Sequence, residues 1–313
     1  MTNTNFKPFD WKSGKQNVVD NSAWSRLNDI IYESRRVPIK KDIKEFLKLP
    51  VAQQEVLLHS FASLSLTSAL QMKKGVRAVQ EIATSPKEIA VFNALQYLES
   101  LNNRAYSYII EELTRDSRTD RSKIFDWAIN NQHLQEKNYQ LNSIYESGNP
   151  LQRLAVLVLV NSGLYHSAFF APLYLFGQGH LSRTAELTKD ALRVTSFSGM
   201  YPGIKFRDRF NKLSSNKQEE IKIWVDNLID TAMANESKHI ELLYQDTDWT
   251  DNALNYVKYS INKGLMSLGL ETKYPQTIDD IDSTIKQGLV ENADGDDFFF
   301  YANKHAITHM NEI

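Results

Sequence analysis

Apolar residues recur at intervals of three and four along most of the chain, the spacing that places them on one face of an α-helix. Proline and glycine are few, 8 and 12 residues, and they cluster where this periodicity stops, at Pro86 and at residues 148–150, 177–179 and 202–203. Ser85 before Pro86 is a typical helix start. The pattern predicts an all-α protein. The predicted helices cover residues 52–75, 86–114, 121–146, 150–176, 181–198, 214–244 and 249–268.

The stretch at residues 154–176 is long and apolar enough to cross a bilayer. Its first part, Leu154-Ala-Val-Leu-Val-Leu-Val160, is continuously apolar, but the polar residues Asn161 and His166 follow it. A helix that is apolar on all sides is also what the centre of a large helical bundle requires. We therefore interpret this stretch as a buried central helix, and His166 as a hydrogen-bonded core histidine.

Charge and cysteine content narrow the function classes. The 313 residues carry 36 Lys and Arg against 38 Asp and Glu, which leaves no positive excess for nucleic acid or a membrane surface. Cysteine is absent, so disulfides, thiolate metal sites and a cysteine nucleophile are excluded. The amino terminus lacks the basic start and apolar segment of a secretory signal. We expect a cytoplasmic protein without nucleic-acid or membrane partners.

Motifs spread over nearly the whole chain resemble those of one enzyme family. They are Arg36-Val-Pro-Ile-Lys-Lys-Asp-Ile43, Phe61-Ala-Ser-Leu-Ser-Leu-Thr-Ser-Ala-Leu-Gln71, Leu98-Glu-Ser-Leu-Asn-Asn-Arg-Ala-Tyr-Ser107, Asn161-Ser-Gly-Leu-Tyr-His-Ser-Ala-Phe-Phe170, Tyr259-Ser-Ile-Asn-Lys-Gly-Leu-Met-Ser-Leu-Gly269, Asn292-Ala-Asp294 and Asp297-Phe-Phe299. On these motifs the chain resembles the small, radical-generating subunit of class I ribonucleotide reductase, in its class Ib form. The resemblance implies a role in deoxyribonucleotide synthesis and a di-iron or di-manganese cofactor.

The resemblance also implies a fold and a set of partners. The fold is a ferritin-like helical bundle of the small-subunit type, with residues 1–313 as a single domain. Residues 1–45 would be an N-terminal extension and residues 290–313 a C-terminal tail. The partners would be a second copy or another small subunit, together with the large subunit and a flavodoxin-like activator.

The positions where family members hold their metals can be located through the motifs. Four helices of such a bundle project ligands inward, and a pair three residues apart shares a helix face. The family's ligands are Asp, Glu, His, Glu, Glu and His. The matching residues here are Ser68, Glu99, Asn102, Asn161, Thr195 and Ser198. Only Glu99 keeps a ligand side chain, so we expect no metal, and we expect Glu99 to be protonated or paired with a basic residue such as Arg104 or Arg193.

Tyr106 occupies the position of the tyrosine that holds the stable radical in the family, although an aromatic residue here could equally serve packing. The family exports the radical through a ligand histidine, an aspartate and a tryptophan, and the matching residues are Asn102, Val194 and Tyr32. Tyr32 is redox-capable, whereas the side chain of Val194 cannot hydrogen-bond. We therefore expect no hydrogen-bonded chain from Tyr106 to the surface. The family's docking tail is replaced by a short one, in which Tyr301 matches a radical-carrying tyrosine.

Three functional hypotheses stay open at this point. The first is a metal-free homologue of the small subunit that acts as a non-catalytic or helper partner. The second is a genuine reductase subunit that carries a radical on a modified Tyr106 without metal, with exit through Tyr32. The third is a repurposed binding protein whose altered centre holds a small ligand. Fold alone does not separate them, because function depends on the site.

Overall fold

The structure, a computed structural model, describes residues 9–11, 18–116 and 119–290. The α-helices are α1 (Val18–Asp29), α2 (Ile43–Phe46), α3 (Val51–Leu70), α4 (Val76–Gln80), α5 (Pro86–Leu113), α6 (Arg121–Asn130), α7 (Gln132–Ser147), α8 (Pro150–Leu159), α9 (His166–Gly177), α10 (Ser182–Phe210), α11 (Ser215–Tyr244), α12 (Thr250–Leu268) and α13 (Ser283–Val290). Short 3-10 turns occur at Ser34–Arg36, Ile39–Lys41 and Ile278–Asp280. No strand occurs in this part of the chain, so the all-α prediction is confirmed. The predicted tail, with Tyr301, lies outside the described residues apart from its first position.

Two π-helical turns interrupt the central helices where polar residues point inward. Gln71–Gly75 joins α3 to α4, and Val160–Leu164, which contains Asn161, joins α8 to α9. Such turns insert an extra residue into a helix and are frequent at functional sites.

Four helical units pack against one another at the centre of the bundle: α3, α5, α8 with α9, and α10. Their inward faces supply fully buried aromatic residues such as Phe61, Phe92 and Phe169. α12 packs on α9 and α10, α11 packs on α7 and α12, and α1 lies along α5. This is the ferritin-like arrangement that the resemblance predicted, in which four helices enclose one polar centre.

The segment Pro150–Gly177 is long and apolar enough to cross a membrane by length and composition, but 94% of its most apolar part is buried inside the bundle. The interpretation as a central helix is therefore confirmed. His166 lies on it, with Nδ1 3.0 Å from the hydroxyl of Tyr256. Burial lowers the pKa of His166 to about 3, so the ring is a neutral, hydrogen-bonded core histidine as predicted.

The start of α5 follows from local sequence, because the Ser85 hydroxyl accepts a hydrogen bond from the Glu88 amide at 3.1 Å. Three other predicted boundaries are wrong. The helix predicted to end at residue 198 continues to Phe210 through Pro202. The helix predicted over 121–146 divides at Asn131, whose side chain caps α7. The helix predicted to end at residue 75 continues through the π turn to Gln80.

The first described helix is tied to the bundle by buried polar contacts. Asp20 on α1 is 1% exposed. Its carboxylate accepts a hydrogen bond from the Tyr201 hydroxyl at 2.9 Å and forms an ion pair with Lys205, both on α10. These contacts hold α1 against the second half of α10. The division of residues 1–45 as an extension stays a prediction.

Candidate functional centre

The six residues that the motifs predict to match the family's ligand positions are buried together at the middle of the four central helices. None of them is more than 1% exposed. We call them the central polar set: Ser68 on α3, Glu99 and Asn102 on α5, Asn161 in the π turn after α8, and Thr195 and Ser198 on α10. Glu99 and Asn102 face inward together because they lie three residues apart on one helix, and the same holds for Thr195 and Ser198.

Most neutral members of the set bond to the carbonyl oxygens of their own helices. Ser68 donates to Ser65 O at 3.1 Å, and Asn161 donates through Nδ2 to Leu157 O at 2.9 Å. Thr195 donates to Ala191 O at 2.9 Å. Short polar side chains on helices commonly do this. As a result, these side chains stay close to their own helix axes and do not reach across to Glu99.

Hydrogen bonds from Asn102 and Asn103 do cross between central helices. Ser68 Oγ accepts a hydrogen bond from Asn103 Nδ2 at 2.9 Å, which links α3 to α5. Asn102 Nδ2 lies 3.2 Å from Ala191 O and 3.3 Å from Thr195 Oγ1, which links α5 to α10. The amide and hydroxyl groups therefore join the helices directly.

Glu99 is the only ionisable member of the set, and it is 0% exposed. Neither carboxylate oxygen has a hydrogen-bond partner among the described residues, although the Ser198 hydroxyl lies near enough to favour the ionised form. Burial dominates and raises the pKa of Glu99 to about 7. Burial thus favours the protonated form below neutral pH, but no hydrogen-bond partner of a neutral acid is found among the described residues, and the predicted protonation of Glu99 stays a prediction.

The other alternative, a basic partner for Glu99, is wrong. Arg104 forms an ion pair with Glu33 at 3.2 Å, and Arg193 forms one with Asp190 at 3.0 Å. Both arginines are partly exposed on the outer faces of α5 and α10. Their long side chains keep the charged group at the surface, where water solvates it at low cost.

Tyr106 lies beside this centre and is 1% exposed. Its ring centroid is 6.3 Å from those of Phe61 and Phe169, so the ring is packed among aromatic residues. Burial, and next the charge of Glu99, raises the pKa of Tyr106 well above its usual value, which keeps the phenol protonated. Among the described residues the Tyr106 hydroxyl makes no hydrogen bond of good geometry, although Thr195 lies beside it.

Two more tyrosines, which are not among the residues predicted from the sequence, approach Glu99. The fully buried Tyr165 and Tyr145 both have their pKa raised by burial, with a smaller contribution from Glu99. The Tyr145 hydroxyl donates to Gln71 Oε1 at 2.6 Å. Tyr165 lies four residues after Asn161 and therefore on the same helix face, so the spacing could have identified it. Tyr145 lies on α7, where no sequence pattern indicates a position near Glu99.

Tyr32 connects to the central polar set from outside. This half-buried residue follows α1, and its hydroxyl donates to Asn102 Oδ1 at 2.7 Å. Because Asn102 also contacts Thr195, hydrogen bonds run without a break from Tyr32 to Thr195. The expectation that no series of hydrogen bonds leads from the centre towards the surface is therefore wrong for the segment between Thr195 and Tyr32. Val194 matches the family's aspartate, but the hydrogen bond to Asn102 is made by the adjacent Thr195.

Comparison with known proteins identifies the family. The family model for the ribonucleotide reductase small chain matches residues 9–281. The chain belongs to this family. It is 30% identical over 281 residues to ribonucleoside-diphosphate reductase 2 subunit beta of Escherichia coli, a match that covers 90% of this chain and 88% of that protein. It is 27% identical over 285 residues to the subunit beta of Mycobacterium leprae, covering 91% and 87%.

A solved structure agrees with this assignment. The structure of dimanganese(II)-NrdF from Streptococcus sanguinis superposes with a TM-score of 0.88 at 32% identity, and the match covers 91% of this chain and 100% of that one. The small-chain fold is therefore retained over almost the whole described bundle. The predicted family and ferritin-like fold are confirmed.

The donor set of this small chain does not fit the di-metal cofactor that its family implies. Hard or borderline divalent metals require several carboxylate or imidazole donors. Within the described residues no three His, Cys, Asp or Glu side chains converge on one point. The central polar set offers a single carboxylate, on Glu99, and its neutral members are largely engaged with backbone carbonyl oxygens.

Proposed function

We propose that this chain is a metal-free ribonucleotide reductase small-subunit homologue that acts in deoxyribonucleotide synthesis as a non-catalytic or helper partner. One observation carries the proposal: five of the six positions of the central polar set hold neutral side chains, and the sixth, Glu99, has no second carboxylate beside it.

The chemistry of the replacements supports this proposal. A cluster of carboxylates in a dry interior needs bound cations, because like charges at short distance raise the free energy of the folded state. Replacement by serine, threonine and asparagine removes that repulsion, and the new side chains bond to backbone carbonyls and to one another. The folded bundle then does not depend on a metal for its central charge balance.

The retained fold supports the proposed partners. The match covers 88% of the length of the E. coli subunit, which supports pairing in the manner of a small subunit. We propose a dimer, with a second copy or with a ligand-complete small subunit, in the cytoplasm. The large subunit and a flavodoxin-like activator are the further partners that such a dimer would meet.

A reconstitution experiment tests the helper role. The protein is mixed with a class Ib large subunit, its activator, reductant and nucleotide, with and without a ligand-complete small subunit from the same host. We expect no deoxynucleotide from this chain alone, and a stable complex with the second small subunit by analytical ultracentrifugation. Two metal ions per chain after purification, or turnover by this chain alone, would contradict the proposal.

A second candidate function is favoured by the hydrogen bonds between Tyr32, Asn102 and Thr195. In this alternative the chain is a metal-free subunit that carries a radical on a modified Tyr106. The radical is passed to the large subunit through Tyr32. Electron paramagnetic resonance and turnover assays on Tyr106→Phe separate the two candidates, with Tyr165→Phe as a matched buried control. Turnover that disappears only in Tyr106→Phe would replace the helper role by the radical role.

A further inference from the structure

Seven buried polar atoms without a hydrogen-bond partner among the described residues belong to Glu99 and to residues of the bundle centre. They lie on α5 and α10 and in or beside the two π turns that follow α3 and α8, and they include both donors and acceptors. They are Gln71 Nε2, both carboxylate oxygens of Glu99, the hydroxyls of Tyr106 and Tyr165, Asn161 Oδ1 and Ser198 Oγ. A buried polar atom left unpaired costs about 1–3 kcal/mol, and native proteins leave few of them. So many at the centre of one bundle indicate a ligand that bonds to them.

Direct contacts between these side chains supply few of the missing hydrogen bonds, although the Ser198 hydroxyl lies near Glu99 and Thr195 lies near the Tyr106 hydroxyl. Asn161 donates its Nδ2 to Leu157 O, which leaves its Oδ1 as a free acceptor. The Gln71 side chain is held by the Tyr145 hydroxyl at its Oε1, which leaves Nε2 as a free donor. Both side chains are thus oriented by one bond while their other polar atom stays unpaired.

The mixture of donors and acceptors restricts the class of ligand. A metal ion would satisfy oxygen atoms but not the N–H groups of Gln71. An anion would satisfy the donors but would be repelled by Glu99 when that group is ionised. An apolar molecule would satisfy none of them. Water donates two hydrogen bonds and accepts two, so it can bond to the carboxyl group, the amides and the hydroxyls at the same time.

We propose that the centre of this bundle binds a cluster of buried water molecules, held by Glu99, Asn161, Ser198 and the two tyrosine hydroxyls in the place of metal ions. The inference rests on the proposed metal-free state. The waters bridge Glu99 to side chains that bond mainly to their own helices, and so join the four central helical units through hydrogen bonds. They also place polar contacts beside Tyr106, whose ring otherwise faces Phe61 and Phe169.

A crystal structure of the full chain at high resolution tests the proposal directly. Anomalous data at the manganese and iron edges are collected on protein purified from cells supplied with both metals. We expect no anomalous peak at the centre, and water density at O–H···O distances of about 2.5–3.0 Å from Glu99. Metal–oxygen contacts would be shorter, at about 2.0–2.2 Å, and would carry an anomalous signal.

Variants and a solution measurement keep the test independent of crystal packing. Oxygen-17 magnetic relaxation dispersion reports long-lived internal waters in solution. We expect Glu99→Leu and the milder Ser198→Ala to lower the number of long-lived internal waters and to remove the corresponding water density. Ser260→Ala is the matched control, because Ser260 Oγ is also buried and unpaired but lies on α12, outside the central polar set. The central waters should persist in this control.

The outcomes separate this inference from the proposed function. Direct hydrogen bonds from neighbouring side chains to Glu99, with no water density and no change in relaxation in the variants, would overturn the water cluster and leave the metal-free state intact. Anomalous peaks bonded to Glu99 would overturn the metal-free proposal and the water cluster with it. Water density in the wild type that is lost only in Glu99→Leu and Ser198→Ala would support the inference.

Discussion

Two glutamates of this bundle are buried to the same degree but in opposite settings. Glu99 on α5 and Glu236 on α11 are both 0% exposed. Glu236 forms an ion pair with Lys137 of α7 at 3.2 Å, and Lys137 is itself buried. Glu99 has no cationic neighbour among its described contacts, and burial raises its pKa to about 7. The same helical scaffold therefore buries one paired charge and one isolated acid.

The difference shows that isolation of Glu99 is a property of its site and not of the fold. Burial of an ionised carboxylate is costly unless an opposite charge or several donors accompany it. α7 supplies Lys137 for Glu236, whereas the helices around Glu99 supply mainly hydroxyl and amide groups. We therefore expect removal of the two negative charges to have opposite effects on stability.

The largest expected effect is at the ion pair. Glu236→Gln leaves Lys137 buried without its partner, and breaking a buried pair in this way costs about 3–5 kcal/mol. The free energy of unfolding in urea at pH 7 measures it. The double variant Glu236→Leu with Lys137→Met removes both charges and should lose much less. Equal losses in the single and double variants would show that packing, and not charge, dominates there.

Glu99→Gln should stabilise the protein above neutral pH. The folded-state pKa of Glu99 is raised from 4.5 to about 7, so its favourable contribution is complete below pH 4.5 and is lost as the pH rises through 7. Removing the charge should therefore raise the free energy of unfolding by about 3 kcal/mol at pH 8 and change it little at pH 4. Urea unfolding at both pH values measures this. A loss of stability at pH 8 would mean that a cation or donor set supports the carboxylate.

His239, on the same helix as Glu236, should respond to pH in the opposite direction. Burial, and then the charges of Lys137 and His133, hold the pKa of His239 well below 6.5. Its contribution to stability is therefore present above pH 6.5 and is lost as the pH falls. The loss should grow as the pH falls from 6.5 towards 5. Unfolding at pH 7 and 5 should show a weaker acid loss in His239→Leu than in the wild type. An identical acid loss would indicate that other groups cause it.

The smallest expected effect concerns the link between the central polar set and the surface. Tyr32→Phe removes the 2.7 Å hydrogen bond to Asn102 and should cost about 1 kcal/mol. Thermal unfolding of the variant measures this cost, with Tyr97→Phe as a control because Tyr97 is 54% exposed. If Tyr32→Phe is as neutral as the control, the Asn102 oxygen has found another donor.

Local sequence was a good guide to helix starts and to most helix ends, but not to the end of α10 or to the break at Asn131. The Ser85 cap and Pro86 act within one turn, so α5 begins where the sequence predicts. The break predicted at residues 202–203 is absent because α10 gains packing there. A Cβ at Gly203 would lie 2.6 Å from Ser267 O, so the glycine allows α12 to approach closely. That contact joins residues far apart in the chain and leaves no local signal.

The sequence by itself determined that the predicted ligand positions carry one carboxylate and five neutral side chains. It also determined the all-helical class, because the apolar spacing of a helix is local. Only the tertiary structure decided the partners of those side chains. The bond between Tyr32 and Asn102 spans 70 residues, and the isolation of Glu99 depends on where four separate helical units place their polar atoms. Hydrogen bonds and burial are short-range in space but not along the chain, so their pattern becomes visible only in the folded bundle.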